Sequence, residues 1–158
     1  MKTLIETFYN AFANLDADTM VSCYHDDIVF KDPAFGVLKG ERAKAMWQML
    51  ISSQKGKDFK VISSNIKGNE NEGSADWEAL YLFSKTGRKV HNKINAKFEF
   101  KDGLIIKHTD HFNLHQWAKQ AMGFKGLVMG RTAYFKSKLQ SQTNLLLNTY
   151  IEKKSHIN

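Results

Sequence analysis

The chain has 158 residues, of which 42% are hydrophobic, 12% aromatic and 25% charged. A domain of that length buries roughly 68–70% of its unfolded surface, so a core without staples is expected and a disordered chain is excluded. Its single cysteine, Cys23, rules out an internal disulfide, a CxxC redox pair and a cysteine-built zinc site. The net charge of +7 arises from 23 basic and 16 acidic residues, yet only Arg42, Arg88 and Arg131 carry the fork that reads base edges. With the lysines spread along the whole chain, no specific nucleic-acid partner is expected. The opening MKTLIETFYNAF is interrupted by Glu6 and lacks the apolar run of a secretory signal. Nowhere do 18 apolar residues run together, so a cytoplasmic protein with no membrane partner is expected.

In chain order, Leu4, Ile5, Phe8, Phe12 and Leu15 recur at helical spacing over residues 3–14. Asp16 or Asp18 can cap a second helix through Met20, Val21 and Tyr24. Ile28, Val29 and Phe30 then read as a strand that must end or bend at Asp32-Pro33, because proline cannot donate to a ladder. A third helix follows Gly40, with Ala43, Met46, Trp47, Leu50 and Ile51 on one face. From about residue 59 to 113 the period becomes two. Ala75, Trp77, Ala79, Tyr81 and Phe83 alternate with polar residues, and so do Val90, Asn92, Ile94, Ala96, Phe98 and Phe100. That is the pattern of antiparallel strands with one buried and one wet face. Turn residues at 69–73, at 85–88 and at Asp102-Gly103 divide it into a meander of about four strands. The final third returns to helix. A short segment covers Leu114–Met122, then Gly123, Gly126 and Gly130 break the chain. A long helix follows from about Thr132 to Lys153, with Phe135, Leu139, Leu146 and Tyr150 on one side. Helices, then an antiparallel sheet, then helices on it make an α+β fold.

Tyr9-Asn10-Ala11, Asp16, Phe30-Lys31-Asp32-Pro33, Gly36 and Gly40 together resemble the SnoaL-like and ketosteroid-isomerase-like families of the nuclear-transport-factor-2-like superfamily. The third helix and the Asp102-Gly103 hairpin fall where those families place them. The resemblance implies a cone of three N-terminal helices wrapped by a curved antiparallel sheet over residues 1–113. Residues 114–158 are expected to form a C-terminal helical extension packed on the same domain. The resemblance also implies a small-molecule ligand in the cone and a homodimer through the outer face of the sheet.

Four residues carry candidate chemistry. Asp32 shares the inward parity of Ile28 and Phe30, so desolvation raises its pKa toward that of a general base. By resemblance, it matches the proton-shuttling aspartate of the isomerases. The alternative is a turn-initiating Asp-Pro whose carboxylate caps backbone amides. Tyr9 matches the tyrosine of the isomerase oxyanion hole, and otherwise packs as a core aromatic beside Ile5 and Phe12. The second donor of that hole, a carboxylic acid, falls here at Ala96. Its loss removes about 3–4 kcal/mol of transition-state stabilisation. On the last strand His108, Asp110 and Phe112 share a face, with His108 and Asp110 roughly 6–7 Å apart at Cβ. Asp110 is placed like the acid/base aspartate of SnoaL-like cyclases. His111 points the other way and no H-E-x-x-H motif exists, so no metal is expected. Phe30, Trp47, Trp77, Tyr81, Phe98 and Phe112 are candidate pocket-lining residues.

Two functions fit this set. One is a cofactor-independent acid/base enzyme of isomerase, cyclase or hydrolase type, acting on a small apolar ring- or ketone-bearing metabolite. The other is a non-catalytic small-molecule-binding or protein-interaction module, favoured by Ala96 and by the long C-terminal helix with Leu145-Leu146-Leu147.

Overall fold

A computed structural model describes residues 1–156, and the last two residues of the expected extension lie outside the described residues. Helix α1 (Lys2–Ala13) buries Ile5, Phe8, Tyr9 and Phe12, the stripe that its spacing dictates. After α1 the chain reaches α2 (Ala17–Ser22), capped by the Asp16 carboxylate accepting from Thr19 N–H at 3.1 Å. Strand β1 (Tyr24–Asp32) stops at Pro33, and β2 (Gly36–Lys39) folds back on it. Helix α3 (Glu41–Gln54) follows with Ala43, Met46, Trp47 and Ile51 buried. The meander is β3 (Lys60–Gly68), β4 (Glu72–Phe83), β5 (Arg88–Lys101) and β6 (Leu104–His111). In β5, Val90, Ile94, Ala96 and Phe98 are buried while His91, Lys93, Asn95, Lys97 and Glu99 face solvent. Asp102 and Gly103 both take positive φ, 52° and 78°, which is what a two-residue β5–β6 turn needs to match the strand twist.

The six strands form one sheet in the order β2-β1-β6-β5-β4-β3. Four of its five neighbouring pairs are antiparallel, and β1 pairs β6 in parallel. The β3–β6 meander is antiparallel throughout, as expected, and the one parallel pair joins β1 to its last strand. The chain leaves β1 through β2 and α3, runs the meander, and returns to β1 from its open side, a crossover long enough to restore the same direction. Register shifts in the β1–β6, β3–β4 and β5–β6 pairs add the local twist that curves the sheet around α1 and α3.

The C-terminal layer comprises α4 (Leu114–Met122), α5 (Phe124–Met129) and α6 (Ala133–Ser155). Its phase differs from the sequence expectation. Leu147 is fully buried in the core with Ile5 and Phe30, while Leu146 is exposed, so α6 turns Phe135, Leu139, Leu147 and Ile151 inward. On a helix of 3.6 residues per turn Leu146, not Leu147, lies near the Phe135 face. Helix α6 turns Phe135 and Leu139 to α4 and β5, and a second face, Leu147 and Ile151, to the main core. Gly126 also does not break the chain. It sits inside α5, where a Cβ would lie 1.9 Å from the carbonyl oxygen of Ala118 on α4. Only glycine permits two helices to approach that closely.

Candidate functional site

Strand register assembles the site. Across the sheet, Phe30, His108 and Phe98 form one row, and Ala96 stands directly opposite Asp110. The β1–β6 register ends at Lys31 and Thr109, so the next step places Asp32 beside Asp110. Both have the parity of buried residues: Ile28, Phe30 and His108 are at most 1% exposed, and Asp110 4%. The small side chains of Ala96 and of its β4 partner Ala75 leave this part of the concave face low.

Behind Asp110 runs a continuous buried hydrogen-bond chain. Trp47 Nε1 donates to Tyr24 Oη at 2.8 Å, and Tyr24 Oη lies 2.7 Å from His108 Nδ1. His108 Nε2 lies 2.9 Å from Asp110 Oδ1, which also accepts from Trp77 Nε1 at 3.2 Å. The directions follow from the inventory of donors. With an N–H already arriving from Trp47, the one Tyr24 proton goes to Nδ1. The Nε2 proton then goes to Asp110. Burial pushes the Tyr24 hydroxyl well above its ordinary pKa, with the charge of Asp110 adding to it, so Tyr24 stays a donor. Aromatic rings wall the imidazole: Phe98 at 4.4 Å between centroids and Trp47 stacked at 6.0 Å. Asp110 is thus held from behind by groups that have no other partner to choose, which fixes its orientation.

Asp32 is held differently. Its Oδ1 accepts from Phe35 N–H at 2.6 Å, the turn-capping bond that an Asp-Pro sequence favours. Desolvation nevertheless outweighs that bond and raises the carboxyl to about 7, with the nearby charge of Asp110 adding to the shift. Helix α6 clamps the same turn from outside. Gln140 Nε2 donates to Pro33 O, Thr143 Oγ1 to Ala34 O and Asn144 Nδ2 to Phe35 O, at 3.1, 2.8 and 2.9 Å. Arg42 on α3 in turn bonds Asn144 and Asn148.

Tyr9 is 1% exposed, and its Oη is the one buried side-chain polar atom without a partner among the described residues. Burial, then the charge of Asp110, raises its pKa well above the ordinary value. It is therefore a protonated donor with nothing to donate to, an arrangement that costs about 1–3 kcal/mol unless a bound group accepts from it.

Of the expected lining residues, Phe30, Trp47, Trp77 and Phe98 are buried in the main core, Phe112 packs partly buried against it, and Tyr81 accepts from Trp117 Nε1 at 2.8 Å. His111 faces outward and His115 bonds Leu127 O, apart from His108. Burial pushes the Cys23 thiol up to about 11, which makes it a poor nucleophile. Two clefts of about 520 and 590 Å³ lie on the sheet, lined mainly by outward-facing residues such as Lys97, Glu99 and Lys107 in one and Asp76, Glu78 and Asn95 in the other. Neither is lined by Asp32, Asp110 or Tyr9. Sequence reasoning assigned Tyr24 to the second helix, whereas it opens β1, and did not single out the Gln140-Thr143-Asn144 clamp. Tyr24 shares the even-numbered parity of Ile28, Phe30 and Asp32, a signal that was available for it. Nothing local marks the clamp.

Known proteins share this arrangement of elements. The chain is 25% identical to epoxide hydrolase EphG of Mycobacterium tuberculosis, over 82% of this chain and 80% of that protein. The solved structure of an M. tuberculosis LEH-like epoxide hydrolase superposes with a TM-score of 0.59 at 25% identity, covering 84% of this chain and 92% of the other. A candidate polyketide cyclase from Xanthomonas campestris pv. campestris superposes at 0.60 with 19% identity, covering 75% and 93%. The SnoaL-like domain family itself matches residues 5–108, from α1 to the middle of β6. With its cone of helices inside a bent sheet and its α+β order, this chain belongs to the SnoaL-like domain family of the nuclear-transport-factor-2-like fold.

Proposed function

We propose that the protein is a cofactor-independent acid/base enzyme that acts on a small, apolar, ring- or ketone-bearing molecule against the concave face of the sheet. The observation that carries this reading is a carboxyl raised to about 7, Asp32, beside a second carboxylate and within the same interior as an unpartnered tyrosine hydroxyl. A group with that pKa exchanges its proton readily at neutral pH. In this scheme the ionised Asp32 takes a proton from a carbon next to a carbonyl, or from an attacking water. Tyr9 Oη donates to the oxygen on which charge develops. The proton held by Asp32 then returns to the product carbon or oxygen, and the Asp110 carboxylate, oriented by His108 and Trp77, strengthens Asp32 as a base through its charge. Ala96 supplies no donor, so Tyr9 bears that role alone. The names of relatives, an epoxide hydrolase and a candidate polyketide cyclase, fit proton transfer to and from such molecules. We further propose a cytoplasmic homodimer paired through the outer face of the sheet, which sedimentation would register as twice the chain mass.

A panel of ring-bearing ketones, phenols, aromatic polyketides and epoxides tests the reading by thermal shift, with mass spectrometry on every hit. Turnover of a hit should fall about 10²–10⁴-fold in Asp32→Asn and in Asp110→Asn, and about 10²-fold in Tyr9→Phe. A hit turned over equally well by both aspartate variants would remove the proposal. The rival reading, a binding module, rests on the two clefts that open away from Asp32 and Asp110. It predicts hits that come back chemically unchanged.

A further inference from the structure

Helix α5 is amphipathic in the wrong sense for a soluble surface. Its buried residue is Gly126, set against Ala118 of α4, while Gly130 at its end closes on Ala118 Cβ and His115. The large apolar residues point out: Phe124 is 78% exposed, Val128 60%, and Tyr134 at the start of α6 62%. Leu127 and Met129 complete the ridge, each 43% exposed. Rolling the helix to bury them is blocked, because the glycine contact sets a separation that no side chain fits. Scattered exposed apolar residues are ordinary, but five within eleven positions make a patch.

Along the chain, the charges that flank this ridge are one-sided. From His111 to Ile151 the sequence holds Lys119, Lys125, Arg131, Lys136 and Lys138 and no acidic residue. Lys125 lies within α5, and Arg131 follows its end. Neither cleft is lined by this ridge. A peptide needs a groove for its side chains, and a nucleic acid has no use for Phe124 or Val128 between the cations. A fluid interface with apolar depth and negative headgroups accepts both features.

We infer that α5 and the first turn of α6 form a docking surface for an anionic phospholipid membrane. Phe124, Leu127 and Val128 enter the headgroup boundary, and Lys125, Arg131 and Lys136 meet its phosphates. The chain lies on the membrane rather than crossing it, since no described helix is long and apolar enough to span. This surface is separate from the Asp32–Asp110 site, and its test needs no substrate.

The experiment is co-sedimentation of the whole protein with vesicles of phosphatidylcholine alone, or with about a third phosphatidylglycerol. The wild type should partition onto the anionic vesicles about tenfold more strongly, less so as salt rises. Phe124→Ser with Val128→Ser should lower binding about tenfold with an unchanged melting temperature, because both residues are exposed. Absence of binding to anionic vesicles at low salt overturns the inference. So does binding that the double variant retains, which would assign the surface to cations alone, as an acidic protein or a nucleic acid requires. Self-association of the wild type that the double variant abolishes, with no vesicle binding, would assign the ridge to a second copy and also overturns it.

Discussion

The cone interior and the C-terminal helices are held by different physics. Inside the cone, α1 and α3 meet the sheet through fully buried aromatic and aliphatic side chains: Phe8 alone packs against Tyr9, Tyr24, Trp47, Phe98 and His108. The polar groups there form one closed chain from Trp47 to Asp110, leaving Tyr9 Oη outside it. In the C-terminal layer, α6 anchors few apolar residues and attaches through side-chain bonds to the backbone of the 33–35 turn. The difference teaches how the site is built. Asp110 is oriented from within the cone, whereas the turn that carries Asp32 is also braced from outside by a helix beyond the family match.

Substitutions should separate the two regions in order of size. Phe8→Ala empties the centre of the cone and should cost about 3–5 kcal/mol in denaturant unfolding. Asp32→Asn should act with the opposite sign at alkaline pH. Below about pH 4 the carboxyl is protonated whether folded or unfolded. Between there and about 7 only the folded state holds the proton, so wild-type stability falls as pH rises through that window and levels off above it. The asparagine variant has no such slope, and at pH 8 it should be the more stable by roughly 2–4 kcal/mol. Tyr24→Phe leaves Trp47 Nε1 and His108 Nδ1 unpaired inside the cone, and should cost about 1–3 kcal/mol while freeing His108 to reorient. Asn144→Ala removes a brace outside the cone and should cost only about 0.5–1.5 kcal/mol. Its larger effect should be on any turnover that uses Asp32. Phe8→Ala or Tyr24→Phe proving more benign than Asn144→Ala would erase the distinction.

Much of the cone was legible because its signals are local. Period-two alternation in β5, the Asp102-Gly103 turn, the strand end at Pro33 and the shared face of His108 and Asp110 all lie within a few residues of one another. Asp32 and Asp110 could be named separately, but their adjacency depends on a parallel β1–β6 register that no local pattern states. Tyr24 and His108 meet across 84 positions, and Asn144 reaches Phe35 across 109. Contacts of that kind join polar residues, which leave no hydrophobic period to read. The inward choice of Leu147 over Leu146 is likewise invisible, since it follows from α6 changing its packing partner from α4 and β5 to the main core, not from the helical period. The apolar ridge of α5 is hidden from the sequence for a related reason: a glycine, having no side chain, decides which face is inside.

The central claim is that burial and the neighbouring Asp110 charge hold the Asp32 carboxyl ready to exchange a proton near neutrality. Carbon-detected NMR of the aspartate carboxyls, followed through a pH titration of the wild type and of Asp110→Asn, measures this without any substrate. The account predicts a midpoint for Asp32 of about 7 in the wild type, moving down when the Asp110 charge is removed. A midpoint near the ordinary value of 3.8, unmoved in Asp110→Asn, would contradict it.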